Sequence, residues 1–460
     1  MHYTRRLLDR QHSSIFVLAL CVAAGAVAAS CSSADEAPSD QVDAGGSDAA
    51  PAVDPAQTGD ASTGDVDAGP DSDAPLFDGG PRAVDCGEAP CATSLVTTRG
   101  ANPADLGEGF CALLHDGTVA CWGAGGAGQL GRGDEAGTAD SATAEPVLGV
   151  HDAVSLDHTC AVDKTGATFC WGTGPFLRST SASTTTEKTA VELEIPSATK
   201  VAIGFTTGCA LTGDGVLCWG GNTYAQVAPL EMQPSSAVLA PKAVDLPSGA
   251  PVQNIAVGNA AFATRSDGSV VSWGANPPLA RVSSLFPDPY PLPIALSSVT
   301  SLDATEDNAC ATSFGVGYCW GTTLPKSLGT KNDEPILVRA LPMAVQTPEP
   351  IVQIATTRTV TTTNPPQPQR WCAVGASGDV YCSGSNAGGQ AGDGTKDFAY
   401  HAVRVVGLPG PAAQVRTTPN ATCALLTSGK VYCWGTNFYG QLGNGKIKTA
   451  STSPQEVVLP

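Results

Sequence analysis

The sequence predicts an all-β repeat domain behind a polar leader, and three observations carry that reading. The chain holds 52 glycines and 35 prolines with only 15% charged residues, a composition at odds with long, charge-laced helices. One string, Cys111-Ala112-Leu113-Leu114-His115-Asp116-Gly117-Thr118-Val119-Ala120-Cys121-Trp122-Gly123, recurs to give seven copies spaced 48 to 62 residues apart. A period in that range means a propeller, a solenoid or an array, and it replaces the two or three domains that 460 residues would otherwise suggest. Between the copies no helical periodicity intervenes.

The elements follow in chain order. Arg5, Arg6 and Arg10 form a positive start, and Ile15 to Ala29 is an apolar run of signal-peptide length, too short to span a bilayer comfortably. Residues 1–30 are therefore expected to be a signal peptide. The run Ala28-Ala29-Ser30-Cys31 resembles a bacterial lipobox, which would make Cys31 the lipidated N-terminus of the mature chain; with Ser32 rather than Asp next, the resemblance implies the outer membrane. Residues 31–85 are expected to be a disordered acidic tether: from 32 to 85 thirteen acids stand against Arg82, and Phe77 is the only aromatic residue. The net charge of −19 excludes phosphate-driven nucleic-acid binding, yet most of it belongs to this tether. The repeat domain is assigned to residues 86–460.

Each copy has hairpin chemistry, with short apolar runs flanking x-Asp-Gly or x-Ser-Gly, which suits a three-residue loop. Around His115-Asp116-Gly117, residues 114 and 118 pair, so Cys111 faces Cys121; the same count opposes Cys160 to Cys170, Cys372 to Cys382 and Cys423 to Cys433. In two shorter copies, two-residue loops at Gly213-Asp214 and Phe314-Gly315 oppose Cys209 to Cys218 and Cys310 to Cys319. The fourth copy puts Phe262 and Ser272 in the two slots, so both cysteines vanish together, as expected of within-hairpin disulfides. Cys86 and Cys91 remain to pair with each other at the domain entrance. No CxxC clusters suggest a metal, and no cofactor is expected.

After the Trp-Gly pair, better-kept copies continue Gly128-Gln129-Leu130-Gly131, Gly389-Gln390-Ala391-Gly392 and Gly440-Gln441-Leu442-Gly443. With C-A-L-x-x-x-G-x-V-x-C-W-G this closely resembles the regulator of chromosome condensation repeat, in a cysteine-bearing form common in exported bacterial proteins. The resemblance covers roughly residues 94–460, with copies near 111–123, 160–172, 209–220, 262–274, 310–321, 372–384 and 423–435. It implies a seven-bladed β-propeller of four-stranded antiparallel blades, a ring that removes most exposed sheet edges. The segment Pro454 to Pro460 resembles the strand that precedes the hairpin in other copies, and is expected to complete the first blade and lock the ring.

Catalytic look-alikes dissolve into the repeat. Gly123 to Gly128 satisfies GxGxxG, but the repeat's Gln-Leu-Gly follows where a dinucleotide site needs a helix; Gly440 to Lys446 matches a phosphate loop until Ile447 replaces the Ser or Thr that would ligate magnesium, and it too is a repeat segment. His115, His151, His158 and His401 are dispersed, and His158 is expected to pack or hydrogen-bond. The periodic Trp122, Trp171, Trp219, Trp273, Trp320 and Trp434 read as blade core. Trp371, beside the Pro-rich insert Thr361 to Gln369, and Phe286 and Tyr290 in a second insert, are candidate interface residues, since variable propeller loops present partner surfaces. The reading is a monomeric, non-enzymatic, lipid-anchored scaffold facing periplasm or cell surface that binds a protein or glycan. The alternatives are a hydrolase or lyase propeller and an inhibitor of a secreted enzyme such as a β-lactamase. The family's nucleotide exchange on a nuclear GTPase is discounted, because an exported chain without a basic tail would not meet that partner.

Overall fold

A computed structural model describes residues 79–460 except 103–104, 177–183, 232–234, 324–336, 361–366 and 368. The signal peptide, Cys31, the tether as far as residue 78 and most of the Thr361 to Gln369 insert lie outside the described residues. The rest forms seven four-stranded antiparallel sheets. Blade one takes its strands from Ala92–Thr97, Gly109–Leu114, Val119–Gly123 and Ser141–Pro146. The following blades span 153–192, 198–243, 252–293, 299–344, 351–404 and 412–456. The one described helix is a single turn, Gly133–Ala136, in the linker before the outer strand of blade one.

The first strand of each blade touches the first strands of its two neighbours all the way round, which closes a ring about a central axis. The second and third strands are the hairpin copies, and they are the most deeply buried: Gly109–Leu114 and Val119–Gly123 are buried throughout. They are continuous small and apolar runs because the adjacent blades cover both of their faces. The fourth strands form the half-exposed rim, as in Thr185–Glu192.

The hairpin register places the cysteines face to face. Cys111 lies opposite Cys121, with Leu113 opposite Val119 and Gly117 in the turn at φ 84°. Phe262 lies opposite Ser272 in the copy without cysteines. Six disulfides join hairpin partners, Cys111–Cys121, Cys160–Cys170, Cys209–Cys218, Cys310–Cys319, Cys372–Cys382 and Cys423–Cys433, and a seventh joins Cys86 to Cys91.

The six periodic tryptophans are buried and bind blade to blade. Each indole N–H donates to a carbonyl in the preceding blade's loop: Trp171 to Gln129 at 3.0 Å, Trp273 to Gln226 at 2.9 Å, Trp434 to Gln390 at 3.0 Å and Trp122 to Gln441 at 3.1 Å across the ring's ends. In three of these loops the glutamine side chain folds the loop for this contact, its Oε1 accepting the N–H two residues upstream: Gln129 from Ala127 at 2.7 Å, Gln390 from Gly388 at 2.7 Å and Gln441 from Tyr439 at 2.9 Å.

The end of the chain differs from the sequence expectation. Ser451–Glu456 pairs with Val431–Gly435 and completes blade seven, not blade one. Ala92–Thr97 already supplies blade one's inner strand, so every blade is built from one contiguous stretch and no strand is shared across the seam. The repeat period reveals spacing but not where a blade begins. The seam is closed by packing of Leu95, Phe110 and Trp122 against Leu425, Val431, Leu442 and Val457.

Candidate functional site

The inner strands end at one mouth of the central axis, and there a cavity of about 120 Å³ opens among groups from six blades. Its polar lining comes from the positions just past the inner strands, where the hydrophobic pattern stops. Arg99, two residues beyond Ala92–Thr97, reaches from blade one to Glu306 of blade five, Nη1 to Oε1 at 2.6 Å. The other terminal nitrogen donates to His158 Nε2 at 2.9 Å, and the guanidinium lies over the Phe205 ring at 5.1 Å. His158 Nδ1 is 2.8 Å from the Thr97 carbonyl. A carbonyl only accepts and a guanidinium only donates, so the imidazole carries its proton on Nδ1 and is neutral. Burial, and then the Arg99 charge, hold its pKa below the usual histidine value.

The carboxylates of the mouth are engaged by neighbouring blades. Asp157 accepts from the Ile203 N–H and Asp303 from the Thr356 N–H, both at 2.8 Å. Glu108 accepts from Thr418 Oγ1 at 2.7 Å and Asn420 Nδ2 at 2.8 Å. Burial pushes Asp303 and Glu108 above the usual carboxylate range, and Asp307, beside Glu306, up to about 6. Arg358 donates to the Asp105 carbonyl at 3.0 Å and Arg416 to the Leu95 carbonyl at 3.1 Å. These contacts tie blade one to blades five, six and seven, an arrangement suited to holding the mouth's shape.

A second feature lies on the rim of blade four. Phe286 is 76% exposed, and Val282, Leu285, Tyr290 and Leu292 are exposed around it in sequence. Beneath them Arg281 and Asp288 form a buried ion pair at 2.7 Å, and Ser283 Oγ donates to the same carboxylate at 2.7 Å. Arg281 also donates to the Ser272 and Tyr290 carbonyls. The loop is therefore held from below while its apolar side chains point outward, and Phe286 and Tyr290 remain interface candidates.

Trp371 is corrected. It is only 5% exposed and packs with Cys310, Cys319, Ile351 and Ile354 at the contact of blades five and six. Blade six has Ser383 where the other blades have the periodic tryptophan, and Trp371 lies directly opposite Ser383 across the hairpin. The indole has moved to the facing strand and fills the same gap between blades. Sequence reasoning also missed Arg99, Glu306, Arg358 and Arg416. No local signal marks them, because their partners are far away in the chain.

Residues 198–226 and 414–441 match a family model described as the Regulator of chromosome condensation (RCC1) repeat, and 428–460 match a second of the same description. Among solved structures, the ring is similar to yeast RCC1 (Prp20) bound to Kap60, with a TM-score of 0.59 at 18% identity over 74% of this chain and 83% of that one. It is similar to human WBSCR16, with a TM-score of 0.56 at 17% identity over 75% and 95%. It is also similar to Prp20p from Saccharomyces cerevisiae, with a TM-score of 0.53 at 20% identity over 71% and 80%, in a study that includes binding to Gsp1p and histones.

Proposed function

We propose, from the regulator of chromosome condensation repeats matched at residues 198–226, 414–441 and 428–460, that the ring is a scaffold that binds another protein, exported and anchored to the outer membrane through a lipid on Cys31. The observation that carries the binding role is the rim of blade four, where a buried Arg281–Asp288 pair organises a loop whose Phe286 side chain is left in solvent. Ordering an apolar cluster in water is unfavourable for the isolated chain, and exposed apolar patches of this kind mark interaction sites. Of the similar solved propellers, yeast RCC1 (Prp20) is bound to Kap60 and Prp20p is described with its binding to Gsp1p and histones, which supports protein recognition as the mode without transferring those partners. Export is supported by seven disulfides, which persist in oxidising compartments. The engaged carboxylates of the axial mouth favour an architectural role for that cluster over acid–base chemistry.

The test places a photo-crosslinking amino acid at position 286 of the full-length chain in its native cells. The expected result is one dominant protein adduct, whose purified partner binds Phe286→Ala about tenfold or more weakly, in the range of a buried aromatic anchor. No adduct, or unchanged affinity, would overturn the role of this rim. In the same cells Cys31→Ser should move the chain from the membrane to the soluble fraction, and continued membrane association would overturn the anchor.

A further inference from the structure

The disulfide between Cys86 and Cys91 differs from the other six in place and surroundings. All twelve hairpin cysteines are buried between blades, none more than 7% exposed, whereas Cys86 is half-buried in the strap that precedes blade one. The strap runs along the face that carries the hairpin turns. Gly79, Gly80 and Pro81 share a cavity with the blade-four turn Ser266-Asp267-Gly268, Arg82 donates to the Ala376 carbonyl of blade six, and the Asp85 N–H donates to the Thr427 carbonyl of blade seven at 2.8 Å.

The cystine then sits on the seam of the ring. The Ala92 N–H donates to the Gly429 carbonyl at 2.9 Å, and the Cys91 carbonyl accepts the His115 N–H at 2.9 Å, so this short segment bonds the turns of blades seven and one at once. Cys91 Sγ is seated so closely on Gly429 that a Cβ there would come within 2.2 Å of the sulfur. No strand is shared across this seam, which gives the contact a mechanical importance that no hairpin disulfide has. A loop of five residues restrains the unfolded chain less than the longer hairpin loops do, so the bond acts chiefly on local shape.

We infer that Cys86–Cys91 is the clasp of the ring and a thiol-addressable modification site: a small dithiol opens it ahead of the six hairpin disulfides, freeing the strap and loosening the seam between blades seven and one. In the reaction one thiolate of the dithiol attacks Cys86 Sγ, the Cys86–Cys91 bond breaks, and Cys91 leaves as a thiolate that takes up a proton. The second thiol of the reagent then attacks the mixed disulfide, releasing Cys86 as a thiol and closing the reagent's own disulfide; two electrons and two protons have passed to the protein. Access of the attacking thiolate selects the bond, and only Cys86 offers it among the described cysteines.

The experiment treats the full-length oxidised chain with graded dithiothreitol, pulses it with iodoacetamide and maps peptides, scoring Cys21 and Cys31 apart. Cys86 and Cys91 are expected to be alkylated at reagent levels that leave the other twelve protected. At that level hydrogen exchange of the Asp85, Ala92 and His115 amides should accelerate by about tenfold or more, while the buried strands Cys160–Asp163 and Thr168–Gly174 of blade two stay unchanged. Gly429→Ala, which keeps the disulfide but displaces its seat, should speed the same three amides. Hairpin cysteines labelled at the same reagent level would overturn the selectivity. Unchanged exchange at the three amides after reduction of the wild-type chain would overturn the clasp, whether or not the Gly429→Ala variant folds.

Discussion

At the residue scale, His158 is the group whose environment makes the sharpest demand. Its Nδ1–H goes to the Thr97 carbonyl and its Nε2 takes a hydrogen from Arg99, so a second proton would set two cations against each other at 2.9 Å. Its folded-state pKa is depressed, first by burial and then by Arg99, while the unfolded chain titrates near 6.5. The unfolded state then binds more protons below that value, so this residue's share of stability is present above pH ~6.5 and is lost as pH falls toward the depressed folded value. Asp307, Asp303 and Glu108, raised by burial, act in the opposite sense on acidification. A comparison with His158→Gln isolates the histidine, since glutamine can donate to Thr97 and accept from Arg99 without titrating. The stability advantage of wild type over His158→Gln, from urea unfolding, should be smaller at pH 5 than at pH 7.5. An equal or larger advantage at pH 5 would refute the assignment. The chain position of His158 disclosed a packing or hydrogen-bonding role, but not its partner Arg99 or, beyond that, Glu306, because Arg99 and Glu306 are 207 positions apart and no periodicity links them. Trp371 was within reach of the sequence: the register that pairs Cys372 with Cys382 also sets 371 opposite Ser383, the gap in the tryptophan series. The adjacent Pro-rich insert pointed to surface instead.

At the scale of elements, the hairpin was legible because all of its determinants lie within about a dozen residues. Turn glycines, alternating apolar runs and paired cysteines specify register locally. The Gly-Gln-Leu-Gly segment was legible only as a signature, since its purpose appears in the next blade. In blade six the run Gly389-Gln390-Ala391-Gly392 curls so that the Gln390 carbonyl meets the Trp434 indole N–H. Gly392 has φ 73°, and a Cβ there would stand 2.5 Å from Trp434 Nε1. Gly392→Ala therefore combines an unfavourable backbone conformation with a clash against a buried ring. It should cost about 1–3 kcal/mol, the usual range for overpacking a filled core. Thermal or urea unfolding measures the loss, and near-UV circular dichroism should show the tryptophan environment altered. A variant as stable as wild type, with its tryptophan signal intact, would mean that the loop is not the socket described here.

At the scale of the whole molecule, the ring's closure sets its mechanics. This ring has seven complete blades, so its covalent ends could be moved to any linker between blades. The present ends are close enough for this, because Pro460 lines the same cavity of about 360 Å³ as Cys86 and Cys91. A circular permutant can therefore run from Gly249 to Pro460, through a linker of roughly six residues spanning up to ~20 Å, and on from Cys86 to Ser248. The cut falls between exposed residues in the link from blade three to blade four. This permutant should keep all six hairpin disulfides by peptide mapping, and its Tm should lie within about 5 °C of the parent, the shift produced by one or two kcal/mol in a large domain. A control cut between Ser266 and Asp267 severs the blade-four hairpin, the one hairpin without a disulfide to hold its halves together. That control should fold poorly or melt well below the first permutant. If the two permutants behave alike, the contiguous blade is not the unit of this ring's stability; if only the control fails, it is.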